Sequence, residues 1–237
     1  MINFTFVTLF KSLISHYFED SILKNAILKN LISIEFVNPR DFSSDKFKRV
    51  DDYQSGGGAG LLLKPEPLSK ALKSIKQAKP DAYMIFTLPC GKPFKQIDAK
   101  RLSSKKEIVL VSGRYEGIDE RVVEKYADEI FSIGDFILTG GELASMCISD
   151  AISRYVPNVL GNRESLNGES FENFLLEPPL FTKPNDFENS KVIKEYLKGN
   201  HAKIHALKNR LSICKTEYFR PDLYAKYKSK RKLEENR

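Results

Sequence analysis

Two glycine-bearing segments carry the residue types and spacing that could do chemistry. Ser132-Ile-Gly-Asp-Phe-Ile-Leu-Thr-Gly-Gly-Glu142 lies about twenty residues beyond Ser112-Gly-Arg-Tyr-Glu-Gly-Ile-Asp-Glu-Arg121. Each follows a β-like apolar run, residues 108–111 and 129–133, and each leads into a helix-like segment. Glycine at a strand end lets the chain turn sharply and lets backbone N–H and C=O groups approach a ligand closely. Two such loops at neighbouring strand ends make a crevice, the usual ligand site of an open α/β sheet. The expected chemistry is the capture of a small cofactor. The fingerprint is not that of a dinucleotide or a nucleoside triphosphate, because neither G-x-G-x-x-G nor G-x-x-x-x-G-K-[ST] occurs after a strand. Gly56-Gly-Gly-Ala-Gly60 follows Val50-Asp-Asp-Tyr-Gln-Ser55, which is not a clean strand, and two prolines in Leu61-Leu-Leu-Lys-Pro-Glu-Pro67 argue against an immediate helix. That glycine run is expected to be either a flexible substrate-facing loop or a structural turn.

The elements that must position these loops show as alternating periodicities. Strand-like runs occupy residues 2–9, 31–37, 82–87, 107–111 and 128–133, with helix-like segments at 66–77, 95–102 and 118–126. This alternation predicts an α/β fold with a mainly parallel sheet. Residues 138–155 read as a long helix with Leu143, Met146, Cys147, Ile148, Ala151 and Ile152 at helical spacing, ended by Pro157. Residues 158–174, rich in Asn, Gly, Ser and Glu, read as a linker or mobile lid. Beyond them, 191–197 and 200–215 are the clearest helical pieces. The expected organisation is a cofactor-binding domain over 1–160, a linker over 161–175 and a small, helical, basic domain over 176–237.

Charge sharpens that division. Residues 1–175 balance at 23 Lys+Arg and 23 Asp+Glu, whereas 176–237 hold 15 against 8, so the whole net charge of +7 sits in the last quarter. A basic module on a neutral body is the footprint of a polyanion binder, although a solvated lysine-rich surface, with a frayed tail at Lys226–Lys232, would read the same way. No apolar run is long enough to span a bilayer, and the first ten residues read as a strand rather than a signal peptide. Three scattered cysteines, Cys90, Cys147 and Cys214, argue against a disulfide framework and a zinc site. The expected compartment is the cytoplasm, with each cysteine a small buried apolar residue.

At this point a family resemblance emerges. Gly113-Arg-Tyr-Glu-Gly-Ile-Asp-Glu-Arg121 and Ile133-Gly-Asp-Phe-Ile-Leu138, with Gly140-Gly141-Glu142, closely resemble the bacterial tRNA (guanine-N1)-methyltransferase (TrmD) family. Arg40-Asp-Phe42, Val50–Gly60 with Lys64-Pro-Glu-Pro67, Ser153-Arg-Tyr-Val-Pro157 and Gly199-Asn-His201 match it in order, so the resemblance covers essentially the whole chain. It implies a SPOUT-type fold in which the chain threads its own loop as a trefoil knot, the opposite of what general rules of topology predict. It also implies S-adenosylmethionine bound in that knot and a homodimer whose active sites draw on both subunits. The implied substrate is tRNA, with no DNA or membrane partner. The implied reaction is methylation of N1 of the guanosine just 3′ of the anticodon, position 37, when another guanosine precedes it.

Residue roles follow from the same resemblance. Leu88, Pro89, Gly113, Ile133, Gly134, Asp135, Phe136, Ile137, Leu138, Gly140 and Gly141 correspond to the cofactor cradle, in which backbone groups read the adenine edge and apolar side chains sandwich the ring. Packing in the core is the plain alternative for Ile133, Ile137 and Leu138, and loop capping for Asp135. Arg154 corresponds to the arginine that stabilises charge developing on guanine O6; on the residue alone it reads as a surface ion-pair arginine. The family's aspartate base appears here as Glu169, in Glu169-Ser-Phe171, which keeps the carboxylate on a longer arm; Glu164 and Glu172 are fallback candidates. Tyr115, Glu116 and Ser165 are the expected substrate contacts. No metal ligand set is visible, and the resemblance adds magnesium as a candidate further cofactor. The chain lacks the family's C-terminal tryptophan, with Leu207 in its place, and has Leu180-Phe-Thr-Lys-Pro184 where the family has His-Tyr-Thr-Arg-Pro. Competing readings are a knotted methyltransferase acting on a ribose 2′-hydroxyl and an RNA-binding protein with a decayed cofactor pocket; a dehydrogenase lacks its phosphate fingerprint.

Overall fold

The computed structural model describes residues 1–162, 166 and 168–235. By internal contacts the chain forms two compact units, Met1–Arg163 and Glu164–Arg237.

The first unit is built on a five-stranded sheet with spatial order β2-β1-β6-β5-β7. Its strands are β1 (Ile2–Val7), β2 (Ile32–Val37), β5 (Tyr83–Pro93), β6 (Glu107–Ser112) and β7 (Glu129–Ser132). Every pairing among them is parallel. A parallel sheet is covered on both faces, so its strands carry apolar residues in both phases. Phe4, Phe6, Ile108 and Leu110 enter one core with helices α1 (Lys11–Ser15), α2 (Ser21–Leu28), α4 (Gln96–Leu102) and α6 (Glu142–Ser153). Val7, Val109, Val111, Met84 and Phe86 enter the other with α3 (Pro65–Ala78) and α5 (Glu120–Tyr126). In β5 and β6 this two-sided burial shows in the sequence as continuous apolar runs, whereas β1 and β2 alternate apolar with polar residues.

Pro65 and Pro67 do not delay a helix: α3 begins at Pro65, because the first turn has N–H groups without intrahelical partners and proline loses nothing there. Residues 50–63 form a hairpin of β3 (Asp51–Tyr53) and β4 (Leu61–Leu63), with the Gly56–Gly60 run at its tip. The long helix expected from 138 starts at Glu142; its inward stripe includes the fully buried Ser145, Ser149 and Ser153, while Leu143 and Cys147 face outward. An apolar-only periodicity overlooks small serines that bond back to the helix's own carbonyls, as Ser149 and Ser153 do. All three cysteines are exposed rather than buried. Cys147 lies on the outer side of α6, and Cys90 in a segment that leaves the β5–β7 ladder.

The second unit holds a short hairpin, β8 (Asp186–Phe187) with β9 (Ser190–Lys191), and the helices α7 (His201–Phe219) and α8 (Pro221–Glu235). The helix expected at 191–197 reduces to one 3₁₀ turn, Lys194–Leu197; a helical piece this short does not nucleate by itself. The supposed basic tail at Lys226–Lys232 belongs to α8, whose start is marked by Pro221 in the first turn and Asp222 behind it. Segment 175–177 is tied to α7 by the Leu176 N–H donating to Thr216 Oγ1 at 2.8 Å and by the Ser212 hydroxyl donating to the Leu176 carbonyl.

Candidate active site

Strands β6, β5 and β7 are neighbours, and the segments leaving their C-terminal ends enclose a cleft of about 320 Å3. Clefts of roughly 300–1,000 Å3 hold small ligands. Its first segment arises from a break in pairing. Thr87 pairs with Phe131, and the ladder resumes with Lys92 against the same residue, so 88–91 bulge out. Leu88 and Pro89 of this bulge line the cleft. Gly91 is required there because a Cβ would sit 2.6 Å from the Phe131 backbone.

The second segment, 113–117, follows β6, and the third, 134–141, joins β7 to α6. They are stitched together by the Gly141 N–H donating to the Gly113 carbonyl at 2.8 Å. The Thr87 hydroxyl lies 3.3 Å from the Gly141 carbonyl. A Cβ on Gly141 would fall 2.4 Å from Thr87 Oγ1 and 2.8 Å from the Gly113 nitrogen, so only glycine permits this approach. Ser132 shapes the start of the third segment, its hydroxyl donating to the Gly134 carbonyl at 2.9 Å. Ser112 and Ser145 hydroxyls meet at 3.0 Å beneath, seating α6 close to the sheet.

The cleft gathers Leu88, Pro89, Gly113, Tyr115, Glu116, Ile133, Gly134, Phe136, Ile137, Leu138, Gly140 and Gly141. Asp135 is exposed and outside this lining. Core packing does not account for Phe136 or Ile137, which are 55 % and 80 % exposed. Arg114 also lines the cleft, though nothing in its spacing singled it out. The β3–β4 hairpin adjoins this wall: the Glu116 N–H donates to the Leu61 carbonyl at 2.9 Å, and the Tyr115 phenol lies 3.2 Å from Asp51 Oδ1. Burial first, then the Asp51 charge, pushes the Tyr115 phenol above its ordinary pKa.

Arg154 lies outside the glycine cleft. Half-buried at the C-cap of α6, it lines a smaller depression with Tyr17, Asp20, Asp150 and Leu160. There the Tyr17 phenol donates to Asp150 Oδ2 at 2.5 Å, a bond that pushes its pKa up to about 12. In the second unit, half-buried Glu169 lines a cavity with Glu172, His205, Lys208 and Asn209. Ser165 and Glu164 lie outside the described residues. Among the described residues no three His, Cys, Asp or Glu side chains gather as a metal site, and no helix is long and apolar enough to cross a membrane.

A parallel α/β unit with a glycine-walled cleft at neighbouring strand ends defines a class of proteins that hold a compact ligand against backbone groups. Comparison with known proteins narrows the class. The family profile described as tRNA (Guanine-1)-methyltransferase TrmD matches residues 2–226. Three curated relatives, each named tRNA (guanine-N(1)-)-methyltransferase, align over nearly their full lengths. That of Campylobacter curvus is 57 % identical over 95 % of this chain and 96 % of its own. That of a Sulfurovum species is 60 % identical over 94 % and 99 %, and that of Sulfurimonas denitrificans 57 % over 96 % and 98 %. The chain belongs to the TrmD family of tRNA (guanine-1)-methyltransferases.

Proposed function

We propose that this protein transfers a methyl group from S-adenosylmethionine to N1 of the guanosine immediately 3′ of the anticodon, position 37, in tRNA. The observation that carries the reading is the coincidence of family membership over residues 2–226 with a single cleft that collects the glycine segments. The lining suits the cosubstrate: Leu88, Ile133 and Leu138 offer apolar surface for an adenine ring, and the turns at Gly113, Gly134 and Gly140 offer backbone donors and acceptors. Bound there, S-adenosylmethionine supplies an electrophilic methyl group.

The remaining work falls to side chains. Guanine N1 carries a proton and is a poor nucleophile, and the charge released on losing that proton spreads to O6. Arg154 is assigned to O6, where a fixed guanidinium stabilises the developing charge. Glu169 is assigned to accept the N1 proton. Tyr115, Glu116 and Ser165 are assigned to the substrate. Magnesium, if required, is held as a hydrated ion on carboxylates, and activity would then disappear with EDTA and return with the metal.

The family further supports a SPOUT-type trefoil knot in the first unit, a tRNA-binding role for the basic second unit and action as a homodimer. Exposed Phe10, Leu13, Tyr17, Leu143 and Cys147 on α1, α6 and their flanks favour a self-association surface, and sedimentation equilibrium would weigh it. The reading as a whole is tested with labelled S-adenosylmethionine and two tRNA transcripts that differ only in guanosine or adenosine 3′ of the anticodon. Label recovered as 1-methylguanosine from the guanosine transcript alone is expected; label in a 2′-O-methylated nucleoside would replace the reading with its nearest rival. Full activity in Glu169→Gln would remove that residue from the base role.

A further inference from the structure

An ion pair in the wall of the cleft, with only its arginine among the lining residues, has no part in the roles above. Glu142, the first residue of α6, is only 2 % exposed. A buried carboxylate is costly unless it is paired and hydrogen-bonded. Its Oε1 accepts from the Thr8 hydroxyl at 2.8 Å and from Arg114 Nε at 3.0 Å. Its Oε2 lies 2.9 Å from the same nitrogen, close enough for the charge but without a hydrogen bond of its own. The guanidinium reaches further, Nη1 donating to the Thr139 carbonyl at 3.2 Å, and it lies 4.5 Å from the centre of the Phe10 ring.

These contacts join four pieces of chain. Thr8 follows β1, Arg114 belongs to the 113–117 segment, Thr139 to the 134–141 segment, and Glu142 opens α6. A planar guanidinium can hold a carboxylate and a carbonyl at once in fixed directions, which the single ammonium of lysine cannot reproduce. We propose that Glu142 is a positioning residue for the cofactor cleft: it anchors Arg114, and Arg114 sets the spacing of the 113–117 and 134–141 segments before the cofactor arrives. The proposal rests on the reading that S-adenosylmethionine occupies this cleft. It explains why an ion pair is retained where apolar packing would serve stability equally well, since preorganised walls depend on a supporting shell.

The test is a double-mutant cycle of Glu142→Gln and Arg114→Lys in the full-length protein, with S-adenosylhomocysteine binding followed by calorimetry. Each single change is expected to weaken binding about tenfold and the double change no more than either, because both break one device. In Glu142→Gln, whose side chain is not among the cleft-lining residues, the KM for S-adenosylmethionine should rise with kcat at saturation within about threefold and tRNA affinity unchanged; a merely structural role would lower everything together. Multiplicative losses in the double variant, or wild-type binding by Glu142→Gln, would overturn the proposal. Amide exchange in the ligand-free protein supplies an independent reading: the Gly141 amide, bonded to Gly113, should exchange faster in Glu142→Gln while the central strands do not change. If the wild type binds no S-adenosylhomocysteine, the cofactor reading fails and the Gly141 exchange alone decides the positioning role. If Glu142→Gln does not fold, Thr8→Val replaces it in the cycle, with a smaller loss in the same direction expected and additivity with Arg114→Lys counting against the proposal.

Discussion

The two units solve different physical problems. In Met1–Arg163 large apolar side chains fill both faces of a parallel sheet, and the loops at its strand ends are pinned by backbone hydrogen bonds, buried serines and one buried ion pair. In Glu164–Arg237 the buried residues among those described are Ser212, Thr216 and Leu223, and its stretch 176–237 carries the chain's excess positive charge. A cleft for a compact ligand must hold its walls within fractions of an ångström, which demands a dense scaffold. A surface for an extended polyanion needs charge and reach more than depth. The difference shows that rigidity is placed where the proposed methyl donor binds, and charge where tRNA is proposed to lie.

The sharpest way to break that comparison is to damage one function at a time. Arg154→Ala should lower kcat about 100- to 1,000-fold, the scale of a lost oxyanion donor, with S-adenosylhomocysteine affinity unchanged by calorimetry. A parallel loss of cofactor binding would mean that Arg154 supports the scaffold instead. Gly141→Ala attacks the scaffold itself: its Cβ must displace Thr87 and the Gly113 backbone. It should cost about 1–3 kcal/mol of stability, read from denaturant unfolding, and remove most cofactor affinity while tRNA affinity is unchanged. Neutralising Lys226, Lys228 and Lys230 together should do the reverse. The slope of log affinity for tRNA against log salt should flatten by up to about 0.7–0.9 per lost phosphate contact, with cofactor binding intact; an unchanged slope would detach α8 from the RNA.

Two smaller effects refine the picture. The Tyr17 phenol is pushed up to about 12 by its hydrogen bond to Asp150. A group whose folded-state value is raised contributes fully below its ordinary value, about 10, and loses that contribution as pH climbs toward 12. An absorbance titration of wild type against Tyr17→Phe should therefore lose one late-ionising phenol. In the second unit, Asp222 is held down at about 2 by Arg220, 2.8 Å away. Its contribution is complete above about pH 4 and fades as pH falls toward 2. Because the pair is exposed, Asp222→Asn should barely alter thermal stability at neutral pH.

Much of this could be read from residues alone, for reasons that differ by element. Strands β5 and β6 announce themselves because burial on both faces forces runs such as Ile108-Val-Leu-Val111, while β1 and β2 show as alternation of apolar and polar residues. The cleft loops announce themselves through glycines that backbone crowding makes obligatory, Gly141 above all. Other features depend on partners far away in sequence. The bulge at 88–91 is set by register against Phe131. The burial of Glu142 is set by Thr8 and Arg114, 134 and 28 residues away. The exposure of Cys147 and Leu143 is set by serines taking the inward side of α6. Helix α8 went unread because lysines crowd its surface and Leu223 is its sole buried side chain among the described residues, leaving only Pro221 and Asp222 as a signal.

The central claim, that the glycine segments hold the methyl donor, is tested most directly by amide exchange with and without S-adenosylhomocysteine. The account predicts protection concentrated at 87–91, 113–117 and 132–141, with α7 and α8 unaffected until tRNA is added. Protection appearing instead around the Glu169–His205 cavity, with those three segments unchanged, would contradict it.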